Sequence, residues 1–360
     1  MTKASRSLTL FSSTEPKTRP KPRLVMKPII PFALLGALFA AGAASAATTT
    51  PVGYITVNLA ANGETYVSPT MVQASSFAGA STVSPSGGKV ITFSGGVPTG
   101  LGSGDVLEVG SSGWWSTVTS STATTITVVD NFPAGLPANT SVSVRKHNTL
   151  LTFLGLNAPG LIDYDGSKAN DEVQVLDPTA NPQKVATYAW VTGPNLGDPN
   201  NPNGAWFNLG TSTVDNNVVI EPGTAIRIKH VGATPLSFAT SGTVKTTPTQ
   251  VDVFAKFNWI GTPLATGGTL NGMNFNNQLV EYDGSSPNYD ELQILGSNQV
   301  ATPFAAITDG VTAPNGKTMF NLATSTDGGA QTFPEGTGVV INRIGNPSST
   351  ITIPATQVGQ

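Results

Sequence analysis

The residues of this chain best suited to chemistry are two clusters of acids. The first is Asp163, Asp165, Asp171 and Glu172; the second is Glu281, Asp283, Asp290 and Glu291. Carboxylates spread over about ten residues around a Gly-containing turn supply oxygen ligands of the kind Ca²⁺ takes. The spacing departs from an EF-hand: counting from Asp163, the sixth position is Lys168 and the twelfth is Gln174. The competing reading is a turn. Tyr164-Asp165-Gly166-Ser167 and Tyr282-Asp283-Gly284-Ser285 put Asp and Gly where a tight bend calls for them. Paired acids also flank the scissile bond in glycosidases. Acids that recur together mark something both stretches share, whereas a catalytic pair is needed once.

The chain has two histidines, His147 and His230. Both are expected to end a strand, and Arg343 falls where a third would stand. A position that accepts His or Arg reads as a polar strand end rather than a catalytic base. No Gly-x-Ser-x-Gly elbow accompanies either histidine, and no Walker-type phosphate loop is present. The aromatic constellation is Trp114, Trp115, Trp190, Trp206 and Trp259, with Tyr188. Flat apolar rings can stack on sugars, and Trp114, Trp115 and Trp206 are the candidate glycan platform. Core packing explains these residues more simply. Trp206 matches Met319 and Trp190 aligns near Ala306, exchanges that a core tolerates.

These residues sit in a repeat. Asn170-Asp171-Glu172-Val173-Gln174-Val175-Leu176 returns as Tyr289-Asp290-Glu291-Leu292-Gln293-Ile294-Leu295. Trp206-Phe207-Asn208-Leu209 returns as Met319-Phe320-Asn321-Leu322, and Pro222-Gly223-Thr224 as Glu335-Gly336-Thr337. The period is a small domain, too long for a solenoid unit. Short alternating segments rich in β-branched residues, such as Tyr54–Val57, Val90–Phe93, Ala225–Ile228 and Val339–Ile341, predict strands; 39 Gly and 27 Pro punctuate them. Thr117–Thr119 and Thr125–Val128 predict a hairpin around 120–124. The expected fold class is all-β: tandem β-sandwich or small β-barrel modules with an internal duplication, after an N-terminal signal segment. The expected partition is a signal segment at 1–46, an N-terminal module at 47–147, repeat A at 148–250 and repeat B at 251–360. The start of repeat A is set by likening Asn148–Gly155 to Ala255–Gly261. Ser241–Gln250 reads as a linker and Gly193–Gly204 as an inserted loop. The 47–147 module is read as a diverged third copy. Asp105–Val109 resembles Asp171–Val175, Gly113-Trp114-Trp115 resembles Ala205-Trp206-Phe207, and Val144–His147 ends like Ile226–His230.

The apolar run Ile29–Ala44 follows Lys27 and leads to Ala44-Ser45-Ala46, a small-x-small cleavage site. It is short for a membrane span of about 20 residues. Met26 is an alternative start. Seven of the 18 Lys and Arg, and one of the 21 Asp and Glu, lie in residues 1–27, so the remainder carries 11 basic and 20 acidic side chains, net −9. That balance argues against nucleic acid and anionic lipid. With no cysteine, disulfides, thiolate metal sites and a thiol nucleophile are excluded.

Pro51-Val52-Gly53-Tyr54-Ile55-Thr56-Val57, Gly104–Val109 with Gly113-Trp114-Trp115, and the paired Tyr-Asp-Gly-Ser and Phe-Asn-Leu motifs resemble an uncharacterised, paralogous family of exported β-rich proteins from verrucomicrobial-type bacteria. The resemblance covers nearly all of 47–360 and implies export; it brings no activity or site residues. The expected function is an exported, non-enzymatic structural or adhesive protein of the cell envelope or extracellular space. The alternative is a polysaccharide-binding module, with Ca²⁺ as a possible aid. Expected partners are envelope or extracellular proteins or polysaccharide, with no nucleic acid and no transmembrane anchor after cleavage.

Overall fold

The computed structural model describes residues 51–155, 160–285, 287–308 and 316–355. The expected signal segment lies outside the described residues. The chain opens with β1 (Val52–Leu59), β2 (Gly63–Val67) and β3 (Met71–Val72). Then come β4 (Ser75–Ala80), β5 (Val90–Thr92), β6 (Asp105–Val109), β7 (Trp115–Ser121), β8 (Thr125–Val128) and β9 (Ser141–Lys146). The hairpin expected around 120–124 is β7–β8.

The next stretch holds β10 (Asn148–Thr149), α1 (Leu150–Leu154), β11 (Glu172–Asp177), β12 (Lys184–Val191), α2 (Gly193–Leu196) and β13 (Ala205–Asn208). It ends with β14 (Thr213–Val214), β15 (Val219–Ile220), β16 (Ile226–His230) and β17 (Leu236–Val244). The last stretch holds β18 (Thr249–Val253), β19 (Lys256–Gly261), β20 (Gly268–Thr269), α3 (Phe275–Gln278), β21 (Asp290–Leu295) and β22 (Ala301–Thr308). It closes with β23 (Lys317–Asn321), β24 (Thr326–Asp327), β25 (Thr332–Phe333), β26 (Gly338–Arg343) and β27 (Ser349–Ile353). The fold is all-β and sandwich-like; no barrel closes among the described strands.

Strand pairing redraws the expected partition. One six-stranded sheet runs β14-β13-β12-β11-β16-β2, and another runs β24-β23-β22-β21-β26-β19. Strand β2 therefore holds in the first sheet the edge that β19 holds in the second. Likewise β1 pairs with β17 as β18 pairs with β27. The first copy is discontinuous. Its frame, A, is built from 52–72 and 148–244; frame B is 249–353. The third sheet, β4-β9-β6-β7-β8-β5, belongs to a module inserted between β3 and β10. Gln73 Nε2 donates to Asn148 Oδ1 at 3.1 Å where the chain leaves and re-enters frame A. The boundary expected at 148 fails because Asn148–Gly155 forms β10 and α1, whose counterparts are β20 and α3, not β19. The expected linker 241–250 shrinks to the four residues between β17 and β18, since 241–243 pair with β1, Val244 with β3, and Thr249 and Gln250 with β27.

Each frame has its own core. In β1 the alternation sends Ile55, Val57 and Leu59 inward while Thr56 and Asn58 face out. They join Phe238, Ile226, Ile228, Trp190, Trp206 and the α1 residues Leu150 and Phe153. Frame B packs Val251, Val253, Ile351 and Ile353 against Ile341, Phe304, Met319 and Phe275. The cross-strand pair Trp190–Trp206, in edge contact at 5.6 Å, is Ala306–Met319 in frame B.

The two frames meet through reciprocal contacts, as in an isologous dimer. The strand registers make Tyr66 and Trp259, Val67 and Ile260, Ser68 and Gly261, Gly223 and Gly336, and Ala225 and Gly338 equivalent. Ser68 N donates to Gly336 O at 2.8 Å, and Gly261 N donates to Gly223 O at 2.8 Å. Val67 bridges Thr337 while Ile260 bridges the equivalent Thr224. Gln183 Oε1 accepts from Phe257 N at 3.2 Å; its counterpart Gln299 Oε1 accepts from Glu64 N at 2.5 Å. Tyr66 meets Trp259 edge-on at 5.4 Å, and Ala225, Trp259 and Val340 form a small core there. A Cβ on Gly338 would come within 2.5 Å of Ala225 Cβ, so glycine is what lets the seam close.

A buried Asp facing a basic side chain recurs in all three modules. Asp290, opposite Arg343 across β21 and β26, accepts Arg343 Nη2 at 2.7 Å and Nε at 3.0 Å. Asp171 accepts His230 Nδ1 at 2.8 Å. Asp105, opposite Lys146 across β6 and β9, lies 2.9 Å from its Nζ. Lys146, rather than His147, is thus the inserted module's counterpart of His230. Removing one partner of such a pair strands the other charge. Asp290→Ala is expected to cost about 3–5 kcal/mol in urea unfolding, while the double variant Asp290→Leu/Arg343→Met recovers most of that loss. Asp165→Ala, at an exposed turn, leaves the midpoint nearly unchanged; equal losses for Asp290→Ala and Asp165→Ala would refute this ranking.

Candidate functional site

The repeated acids are drawn into the fold by their local roles. Asp171 and Asp290 each close the loop that precedes the central strand. Ile162 N donates to Asp171 Oδ2 at 2.9 Å, and Val280 N to Asp290 Oδ2 at 2.9 Å. Val231 N adds a bond to Asp171 Oδ1 at 2.7 Å. The second ring nitrogen of His230 lies 3.0 Å from Thr234 O. Carboxylate and carbonyl both accept, so the ring bonds to both only when it carries two protons.

Asp165 and Asp283 cap their Gly-containing turns. Ser167 N donates to Asp165 Oδ1 at 2.9 Å, and Ser285 N to Asp283 Oδ1 at 2.8 Å. Gly166 and Gly284 adopt φ of 76° and 79°, the left-handed region that glycine enters freely. These turns lie in the loops ahead of β11 and β21. The Ser167 amide and hydroxyl hold the Asp165 carboxyl down at about 2. Asp163 faces Lys168 at 3.7 Å, Glu172 faces Lys229 at 3.5 Å and Glu281 faces Lys317 at 3.6 Å. Glu291 accepts Gln293 Nε2 at 2.5 Å. Among the described residues no three His, Asp or Glu side chains converge on one point. Millimolar Ca²⁺ is therefore expected to move the thermal midpoint by less than about 1 °C, read by differential scanning fluorimetry; a shift of several degrees would restore the metal reading.

Of the two readings of the aromatics, the structure favours core packing over a glycan platform. Trp206 is 0% exposed and has no face to offer a sugar. Trp114 packs on Phe132 at 4.8 Å, in the inserted module's core. It precedes β7, which pairs with β6 as β12 pairs with β11, so its match to Trp206 is also displaced. Half-buried Trp115 tethers the inserted module to frame B: its indole donates to Gln250 O at 2.8 Å, while Gln250 N donates to Gly113 O at 2.9 Å.

The same junction holds a buried charge cluster. Glu108 receives Lys245 Nζ at 3.0 Å on both oxygens and also pairs with Arg145. Burial pushes Lys245 down, against the pull of Glu108. Next to it, burial and then the Arg145 charge hold His147 down at about 4, against Asp105 and Glu108. His147 is buried, with one ring nitrogen 3.4 Å from Thr117 Oγ1.

A groove of about 460 Å³ opens along the seam between the frames. Frame A brings Tyr66, Gln183 and Arg227 to it; frame B brings Lys256, Phe257, Trp259 and Gln293. Arg227 lies over the Trp259 ring, 5.3 Å from its centroid, and bonds Gln174 Oε1 at 2.7 Å through Nε and Glu64 at 3.1 Å. Burial raises the Tyr66 phenol, with Arg227 opposing. Phe257 is half-exposed, and Trp259 only 8% exposed. This volume and mixed lining suit a small ligand or a few units of a polymer. Sequence reasoning missed the groove because it set 255–261 against 148–155. Against Gly63–Val67, the pair Tyr66/Trp259 would have stood out, and with it the lone Lys256 and Phe257.

The free imidazole takes up its proton near 6.5 and the buried His147 near 4. The stability this neutral ring supports is complete above pH 6.5 and is lost as pH falls from 6.5 toward 4, on the order of 3 kcal/mol in all. Between pH 7 and 4.5 the loss of stability in His147→Gln should be smaller than in the parent by about 2–3 kcal/mol, measured by urea unfolding at each pH. Parallel pH curves would refute this.

Among the described residues no helix is long and apolar enough to cross a membrane. Set against protein-family models, curated proteins and solved structures, the chain finds no match. The functional reading therefore rests on the seam, its groove and the buried pairs.

Proposed function

We propose that this chain is an exported, non-enzymatic β protein with a structural or adhesive role at the cell envelope or outside the cell. The reading is carried by one observation: the repeated acids Asp171 and Asp290 close loops and fix strand ends, Asp171 together with His230, while Asp165 and Asp283 cap turns. Side chains committed to buried pairs are poor acids, bases or ligands, because releasing them would leave charge stranded. The leader-like segment and the acidic remainder support export. A chain without cysteine that works outside the cell depends on its cores and seams alone, and the locked frames fit a load-bearing or displayed part.

A second reading, polysaccharide binding, is favoured by the seam groove, which offers an exposed aromatic ring beside polar and cationic groups. Fractionation tests the leading reading. The protein should be found shortened at its N-terminus in the envelope fraction or the medium. Recovery of the uncleaved chain in the cytoplasm would end the proposal. If the shortened protein were released freely and stayed monomeric, export would stand and the structural role would fall.

A further inference from the structure

Duplication makes the seam informative. Equivalent positions in frames A and B have the same folding task, so a difference between them is free to serve something else. Three differences converge on the one groove. Lys256 stands where frame A has Gly63, Phe257 where it has Glu64, and Arg227 where frame B has Val340. The cleft on the opposite side of the seam is lined instead by Leu59, Ala60, Ala61, Glu64 and the 294–297 segment.

The groove's charge runs against the chain's. Arg227 and Lys256 line it and no carboxylate does, in a protein whose sequence after residue 27 is net −9. Arg227 is partly balanced from behind by Glu64 at 3.1 Å. Among the described residues Lys256 has no carboxylate within ion-pair reach. Its backbone is nevertheless fixed. Lys256 is held at φ 74°, a conformation a non-glycine residue adopts only when its surroundings impose it. Buried Asn258 imposes it, accepting from Phe254 N at 2.7 Å and donating to Phe254 O at 2.8 Å and Lys256 O at 3.1 Å. From frame A, Gln183 Nε2 donates to Ala255 O at 3.1 Å and Phe257 O at 2.8 Å.

We propose that this groove binds an acidic polysaccharide, with the half-exposed Phe257 ring stacking on a pyranose face and Lys256 and Arg227 receiving its carboxylate or sulfate. The proposal rests on the polysaccharide-binding reading and narrows it to anionic chains. An acidic peptide would present the same charge, but it docks best by adding a strand to a sheet edge. Here the free edge of β19 is already capped by Gln183 at Ala255 and Phe257, which leaves side-chain recognition of a ring as the available mode. The Tyr66 hydroxyl and the Gln293 amide on the same groove suit sugar hydroxyls.

The test is calorimetric titration of the full chain with oligogalacturonate, its neutral methyl ester and polyglutamate. Oligogalacturonate is expected to bind at low salt, with about tenfold weakening in Lys256→Ala, in Phe257→Ala and in 0.5 M NaCl. Both variants sit at exposed positions, so an unchanged thermal midpoint verifies that they are folded. Equal binding of the methyl ester, or wild-type affinity in both variants, would overturn the charge and site assignments while leaving polysaccharide binding in place. Equal binding of polyglutamate would overturn the saccharide identification. Failure of both saccharides to bind would remove the proposal and the reading beneath it together.

Discussion

The structure depends on a carboxylate at the mouth of each central strand. Asp171 and Asp290 hold two chain segments at once: the loop ahead of the central strand, through a backbone N–H, and the end of β16 or β26, through the His230 ring or the Arg343 guanidinium. Asp105 does the same on a shorter loop, accepting from Gly102 N at 2.9 Å. Burying such a pair costs desolvation that the mutual attraction only partly repays. Its value lies in selection. A one-residue slip of β26 against β21 would turn every side chain over and would also part Arg343 from Asp290. Hydrophobic cores alone tolerate near-miss packings; a buried charge does not. The donor itself is exchangeable among His230, Arg343 and Lys146, whereas the acceptor is Asp each time. Geometry explains the asymmetry: the short carboxylate must reach a backbone N–H on its own side, and the partner only has to arrive from the neighbouring strand.

The second constraint is the seam. Reciprocal bonds from Ser68 and Gly261, and reciprocal clasps by Gln299 and Gln183, give the tandem the logic of a two-fold dimer in one chain. Insertion of a whole module between β3 and β10 leaves that logic intact, because the chain leaves and returns at neighbouring residues tied by Gln73 and Asn148. The inserted module is then pinned at its far side by Glu108, Lys245 and Trp115. Each of these side chains bonds across the junction.

Much of this was legible in the sequence, and the failures have physical causes. The β class, the duplication, the β7–β8 hairpin and the exchange of Trp190 and Trp206 for Ala306 and Met319 follow from periodicity and direct matching. The boundary at 148 went wrong because a strand's neighbour in a sheet need not be its neighbour in sequence. β2 completes a sheet whose other strands begin about a hundred residues later, and local patterns carry no record of that. The acids were found as residues, and the turn reading holds for Asp165 and Asp283, whereas the burial of Asp171 was not foreseen. Spacing along the chain places Asp163, Asp165 and Asp171 together, but the turn turns the first two toward Lys168 and Ser167 while the sheet takes Asp171 inside. Trp206 illustrates the same limit: an indole is equally suited to a sugar and to a core, and only burial decides between them.

The groove inverts the usual use of a repeat. What recurs between frames A and B is what both need to fold: the Asp-led strand, the Gly-containing turns, the seam glycines Gly223 and Gly336. What does not recur is released from that duty, and the released positions Lys256, Phe257 and Arg227 face one space. Their placement also bears on how that space can work. A ligand that orders its own site loses part of its binding energy in doing so. Here the bend that carries Lys256 is bonded from below by Asn258 and from across the seam by Gln183, and Arg227 is held by Gln174 and Glu64 over the Trp259 ring. The groove stands open and already ordered, as a consequence of the same contacts that lock the two frames together.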